Sequence, residues 1–372
     1  MKVSVIIPTY NREGVLLKTL NAFNRESFSD FEVIVVNDGG KELSLDLTKY
    51  KFPLHYLTQE NNGPASARNK GADEAEGEFI IFIGDDCIPD TNFILNHYLE
   101  LSQETNVVTQ GYTAWDREIY DDFIFFLDKY GLQVNWNACK NQDGSWKHKI
   151  NDEFCITTNY GISRELFEYV GGFDESFKKA AWEDIEFGYR LASYGISQTV
   201  FVPNAVNFHN HGYNIQKWIN RQKTEGFWRI NLCIAKPELS LGILNFNEIA
   251  TLKQYVNLPE SFFEEEINKL KPAIFSIENN FVELKFKKYM ELSQVASIVG
   301  ILSGIYSVFG NYEILNVKNS DAFAYVFWCL NAMKRNDYGY TEHCLEWIFQ
   351  AENSEATKII IDGLKTKYDR TL

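Results

Sequence analysis

Apolar positions in the first 112 residues come in short continuous runs, separated by segments that carry a helical beat. The runs Lys2–Ile7, Phe31–Asn37, Leu54–Thr58, Glu78–Ile83 and Val107–Gly111 have the length and β-branched content of buried strands. Between them, Glu13–Phe23, Glu42–Lys49 and Pro64–Glu76 read as helices. The last of these follows Asn62-Gly63, and proline at a first helical position is preorganised and loses no hydrogen bond. Alternation of this kind predicts a doubly wound α/β sheet, with ligand-binding loops at the carboxyl ends of the strands.

The pattern then changes twice. Residues 113–150 lose regularity and gain aromatics, among them Trp115, Tyr130, Trp136 and Trp146, which suits an inserted lid or subsite as readily as ordinary core. From 154 to 235 α/β character returns and ends in a helical stretch from Ile215 to about Ile234. Beyond about 240 the pattern is helical throughout. A boundary at Lys236-Pro237 therefore gives domains 1–236 and 237–372, the first for chemistry and the second for acceptor, partner-subunit or peripheral membrane contacts. The longest apolar window, Val295–Phe309, falls short of the roughly 20 residues that span a bilayer and reads as a buried core helix.

Composition narrows the function classes. With 372 residues, 45% of them apolar and 23% charged, the chain has room for a sizeable core and is not disordered. A net charge of −15 argues against a general nucleic-acid binder, which needs clustered Lys and Arg for phosphates. The six cysteines form no Cys-x-x-Cys pair, and Met1-Lys2 runs directly into a strand pattern. The expected setting is a reducing cytoplasm, with a peripheral position at the inner face of the membrane as a further option.

Four features carry candidate chemistry. Pro8-Thr9-Tyr10-Asn11-Arg12 ends the first strand in a turn whose backbone and Thr9 hydroxyl suit a planar base, although such turns are often purely structural. Asp38, closing Val35-Val36-Asn37-Asp38-Gly39, stands where a carboxylate accepts hydrogen bonds from a base or ribose, or simply forms a turn. Asn61–Gly71 is a small-residue helix start carrying Arg68, fit for close approach of an anion or for tight packing on the sheet. Asp85-Asp86 ends an almost continuous apolar run, and two acids there are costly unless solvated, paired or metal-bound. Farther on, Trp182-Glu183-Asp184 opens an amphipathic helix, so a carboxylate can point into the same cleft and accept a proton.

In order and spacing these motifs resemble the family 2 glycosyltransferases, inverting enzymes of the GT-A fold, over roughly residues 1–235. The match runs through Val-Ile-Ile-Pro-Thr-Tyr-Asn at the start and Val36-Asn37-Asp38-Gly39. It continues through Asn62–Asn69, Asp85-Asp86, Gly171–Glu175 and Trp182–Leu191. The resemblance implies a mostly parallel, Rossmann-like catalytic domain followed by a smaller helical one. It implies that Pro8, Thr9, Asn11, Asp38, Arg68 and Asp85 contact the nucleotide-sugar donor. It makes Asp86 the principal ligand of Mn²⁺ or Mg²⁺, joined by His209 or His211. Asp184 becomes the base, and Trp182 and Glu183 contact sugars or the acceptor. The family's usual Asp-x-Asp is here Asp85-Asp86-Cys87, so the third position is not acidic. UDP is the expected nucleotide, with GDP and dTDP as alternatives, and the acceptor is a glycan, lipid-linked or protein-linked hydroxyl. A sugar nucleotidyltransferase and a degenerate nucleotide-sugar-binding scaffold are the competing classes.

Overall fold

Valine, isoleucine and phenylalanine fill the amino-terminal strands because both faces of the sheet are covered, as a parallel sheet flanked by helices requires. In the computed structural model, which describes residues 1–151, 155–196, 198–270 and 279–369, these are β1 (Val3–Thr9), β2 (Phe31–Asp38), β3 (Leu54–Gln59) and β4 (Phe79–Ile83). Helices α1 (Glu13–Phe23) and α2 (Pro64–Asp73) connect them. Next come β5 (Cys87–Pro89), α3 (Phe93–Leu101), β6 (Val108–Trp115), α4 (Asp122–Lys129) and β7 (Lys149–Asn151). The unit closes with β8 (Asn159–Ser163), α5 (Arg164–Val170), α6 (Glu183–Ser193) and β9 (Gln198–His209).

The strands form one sheet in the order β3-β2-β1-β4-β8-β6-β9-β5, with β7 paired to β9. β3, β2, β1 and β4 are mutually parallel, as are β6 and β9, while β8 runs antiparallel between β4 and β6. This mixed, mostly parallel α/β sheet followed by a helical region is the predicted fold class. Alternate residues of each strand serve opposite cores. Ile6, Ile34, Ile80 and Phe82 face α2, α5 and α6, whereas Val5, Val33, Val35 and Ile81 face α1 and α3. Each such fully buried side chain is worth roughly 1.5–3 kcal/mol.

Two local expectations differ from the structure. Glu42–Lys49 is not a helix: only Leu47–Lys49 makes a single 3₁₀ turn, with the Asp46 carboxylate accepting from Thr48 N–H. Leu43, Leu45 and Leu47 alternate with polar residues, a period of two that no α-helix can bury on one face. The aromatic segment 113–150 is divided: Trp115 ends β6, while Trp136 and Trp146 cover a small satellite core of Cys139, Ile150 and Phe201. Phe154, where the second α/β stretch was placed, lies outside the described residues.

The chain divides into compact units Met1–Tyr213 and Asn214–Leu372. The second contains α7 (Ile215–Ala235), α8 (Ser240–Ile243), α9 (Phe262–Leu270), α10 (Asn279–Phe309), α11 (Ser320–Lys334), α12 (Tyr338–Ala351) and α13 (Glu355–Asp369). Helix α7, which a boundary at Lys236-Pro237 places in the first domain, sits in this unit because it packs backbone to backbone on α10. A Cβ on Gly226 would lie 2.1 Å from the Ser297 carbonyl oxygen, and one on Gly300 2.1 Å from that of Lys223. Ile230, Cys233, Ile301, Ile305, Phe323 and Phe327 join one core. Within α10, Glu283–Phe309 is long and apolar enough to cross a membrane by composition alone, with 44% of its most apolar window buried.

Candidate active site

Chain reversal after β4 creates the site. β4 stops at Ile83, Gly84 opens the turn, and Asp85 and Asp86 follow at 5% exposure each. Thr9, the last residue of β1, donates its hydroxyl to Asp85 Oδ2 at 2.8 Å. β5 then pairs antiparallel with the end of β9, setting Cys87 against His209, and Asn210 N–H donates to the Asp86 carbonyl at 2.7 Å. That ladder carries the His-Asn-His segment back over the acid pair. Asp86 Oδ2 lies 3.4 Å from His209 Nε2 and 2.9 Å from His211 Nδ1. One ligand atom from each of Asp86, His209 and His211 falls within 4.8 Å of the others. Both histidines therefore reach the acid, where the sequence left one or the other.

A residue read only as part of the turn completes the cluster. Arg12, just before α1, pairs through Nη1 with Asp85 Oδ1 at 3.0 Å and through Nη2 with Asp86 Oδ2, and Nη2 also lies 2.8 Å from His211 Nδ1. Burial pushes Asp85 up to about 6, with Arg12 and the Thr9 hydrogen bond working the other way. Burial opposes ionisation of Asp86 too, yet His209, His211 and Arg12 together hold it well below the usual carboxylate range. Burial foremost lowers the pKa of His211, with its hydrogen bond to Asp86 working the other way, so the site favours the neutral imidazole. Cys87 is fully buried and its thiol is pushed far up, which keeps it a thiol rather than a ligand.

The surroundings fit a cation. His209 stacks on Trp115 with centroids 5.1 Å apart, and Gln133 Nε2 lies 3.3 Å from His209 Nδ1, leaving the buried Gln133 Oε1 without a partner among the described residues. Amide oxygen and nitrogen are interchangeable at this level. With the Gln133 amide turned over, Oε1 accepts from Nδ1–H and the Nε2 lone pair is free toward Asp86, the arrangement a metal-bound imidazole needs. A carboxylate and two imidazoles whose orientations are held in this way form a donor set that suits a divalent ion.

The residues expected to contact the donor are held by the loops around them. Asp38 Oδ1 accepts from Gln59 Nε2 at 2.8 Å and from Asn62 N–H at 2.9 Å, and Oδ2 accepts from Gly63 N–H at 3.0 Å. Gly63 has φ +92°, and a Cβ there would strike the Lys178 backbone at 2.8 Å. Asn11, itself at φ 55°, accepts from Lys41 N–H at 2.8 Å and so ties the β1 turn to the loop after β2. Pro8 is half-buried beside Thr9, opposite Val36 of β2.

Helix α6 brings the second acid pair. Phe187 packs on Phe173, which packs on Phe82 of β4, and this stack anchors the helix under the strand end. Trp182 turns into the helix with φ 73°, Glu183 and Asp184 occupy its first two positions, and Asp184 Oδ1 accepts from Ile185 N–H at 2.9 Å. Arg68, expected at the donor, and Glu183, expected at the acceptor or a sugar, are joined to each other: Nη1 donates to Oε1 at 2.9 Å in a pair under a tenth exposed. Arg68 Nε and Glu183 Oε2 are buried with no hydrogen-bond partner among the described residues. The pair links α2 to the first residue of α6.

A sheet with ligand-facing loops at its strand ends, an acidic turn after β4 and a carboxylate-headed helix define a GT-A glycosyltransferase domain. Residues 4–171 match the family described as Glycosyl transferase family 2. A chondroitin synthase of Pasteurella multocida (strain Pm70) is 29% identical over 222 residues, covering 52% of this chain and 23% of that protein. A validoxylamine A glucosyltransferase of Streptomyces hygroscopicus subsp. limoneus is 28% identical over 225 residues, 53% of this chain and 49% of that protein. In fold, the chain resembles a mannosyltransferase from Pyrobaculum calidifontis in complex with GDP-Man and Mn²⁺, with TM-score 0.51 and 16% identity over 82% of this chain and 87% of that one. The family 2 glycosyltransferase match thus falls within the first unit and covers the greater part of it. The chain spans less than half the length of each of these two sequence relatives.

Proposed function

We propose that this chain is an inverting transferase that moves a sugar from a nucleoside diphosphate sugar, UDP-linked by expectation, to a hydroxyl of a glycan, lipid-linked or protein-linked acceptor. The observation that carries the reading is the convergence of Asp86, His209 and His211 at the strand ends, beside Thr9 and Asp38. Asp38 and Thr9 would hold the nucleoside, and Asp85 the ribose or sugar. Asp86, with His209 and His211, would hold a divalent cation, which neutralises charge on the departing diphosphate. Two imidazoles in the set favour Mn²⁺ over the oxygen-seeking Mg²⁺.

Asp184 takes the proton of the acceptor hydroxyl as that oxygen bonds to the anomeric carbon and the bond to the diphosphate oxygen breaks. Its place in the first turn of α6 fixes where the carboxylate stands. The buried Arg68–Glu183 pair fixes the head of α6, so its contribution is to hold Asp184 and Trp182 in place. The second unit is assigned to acceptor, partner-subunit or peripheral membrane recruitment, with the site of action at the cytoplasmic face.

Incubation with a panel of UDP-, GDP- and dTDP-sugars and Mn²⁺, with and without EDTA, tests this. EDTA-sensitive release of nucleoside diphosphate that rises with acceptor supports it. Pyrophosphate release from a nucleoside triphosphate and sugar phosphate would instead mark a nucleotidyltransferase, and binding without turnover a scaffold.

A further inference from the structure

Two of the three groups that face one another as cation ligands are already hydrogen-bonded to a cation of the chain itself. Arg12 Nη2 meets Asp86 Oδ2 and lies 2.8 Å from His211 Nδ1, while Nη1 meets Asp85 Oδ1 at 3.0 Å. A guanidinium is permanently charged and suited to a two-pronged grip on carboxylates, so this is a strong occupant and not a passing surface contact. We propose that Arg12 is a displaceable internal counter-ion: it competes with the divalent cation for Asp86 Oδ2 and for the place beside His211 Nδ1. It thereby weakens cation binding until the guanidinium is drawn to another anion. The inference rests on the cation-dependent reading above and concerns the order in which that site is loaded.

The geometry allows the exchange. The Arg12 side chain is 35% exposed, whereas those of Asp85 and Asp86 are 6% exposed, so the arginine can leave for solvent and the acids cannot. Its backbone need not move, because Asn11 is fixed to Lys41 N–H and Leu16 N–H donates to the Arg12 carbonyl at 3.1 Å. Side-chain rotation alone suffices. The diphosphate of a donor is the anion best placed to receive the freed guanidinium, since Thr9 and Asp38 mark the donor side of the same strand ends. Cation and nucleotide then favour each other's binding, by an equal factor in each direction.

The test is Mn²⁺ binding to the full chain without nucleotide, by calorimetry and by the Mn²⁺-induced rise in melting temperature, for wild type, Arg12→Gln, Arg12→Lys and Asp86→Asn. Arg12→Gln should bind Mn²⁺ about tenfold more tightly than wild type, within the span usual for coupled ligands. It should also melt lower without the ion and gain more from it. Arg12→Lys, which keeps charge but cannot bridge both acids, should fall between and remains readable if Arg12→Gln folds poorly. Addition of UDP should sharpen Mn²⁺ binding more in wild type than in Arg12→Gln. Wild-type and Arg12→Gln affinities that agree, with Asp86→Asn inert, overturn the role of Arg12 alone. Undiminished binding by Asp86→Asn overturns the cation site itself.

Discussion

Asp184 accepts from the N–H of its own neighbour Ile185 and holds a fixed place at the second position of α6. If it accepts the acceptor's proton, Asp184→Asn keeps that shape and loses the base. We expect kcat to fall by about 10²-fold or more, the usual worth of such assistance, with UDP affinity by calorimetry nearly unchanged. A variant that keeps more than about a tenth of the rate would remove Asp184 from the role. Asp85 allows a different experiment. Its folded pKa of about 6 stands above the ordinary 3.8, so the fold favours the protonated acid. Its stabilising contribution is complete below about pH 3.8 and is lost as pH rises through about 6; the full displacement amounts to at most about 3 kcal/mol. In EDTA, the melting temperature of Asp85→Asn relative to wild type should therefore climb between about pH 4 and 7. A difference independent of pH would show that Arg12 cancels the burial cost.

At the scale of elements, α7 and α10 meet where neither helix has room for a side chain. Gly226→Ala places a methyl 2.1 Å from a backbone oxygen that cannot rotate away, so the helices must separate. Overpacking of this kind costs about 1–3 kcal/mol, and denaturant unfolding should show a loss at the upper end with the m-value unchanged. Gly242→Ala, which meets nothing within 4 Å, serves as the control and should be neutral. The same scale shows what the sequence could reveal. Buried strands such as β1, β2 and β4 were legible as unbroken apolar runs, and α6 as a carboxylate-headed amphipathic helix. The pairing of β5 with β9 was not, because it joins residues some 120 apart in the chain. Without that ladder His209 and His211 could not be told apart, and the structure shows both at Asp86. Arg12 and the Arg68–Glu183 pair went unread for the same reason: a single charge has no period, and its partner lies 74 or 115 residues away.

For the whole molecule, the division at Tyr213–Asn214 decides where the chain can be cut. Ending it after Lys236 leaves α7 with Gly226, Ile230 and Cys233 stripped of α10 and the core they share. Ending it after Tyr213 keeps the nine-stranded sheet and every residue of the proposed site. We expect the shorter piece, 1–213, to be monodisperse by size-exclusion chromatography and to bind UDP with Mn²⁺, and the longer piece, 1–236, to aggregate. The reverse ranking would place α7 with the sheet. Transfer to the natural acceptor should fall in 1–213 if the helical unit recruits that acceptor, and an undiminished rate would deny it that task.

The ladder that seats His209 and His211 over Asp86 also sets a timetable for biosynthesis. Arg12 and both acids leave the ribosome early, whereas His211 follows Asp86 by 125 residues, about 6–25 s later at ordinary rates of elongation. Throughout that interval the imidazoles that complete the ligand set do not yet exist. A chain stalled before residue 198 should therefore hold Mn²⁺ no better than the Asp86→Asn protein does. Stalled beyond Tyr213 and clear of the exit tunnel, it should hold the ion as the finished protein does.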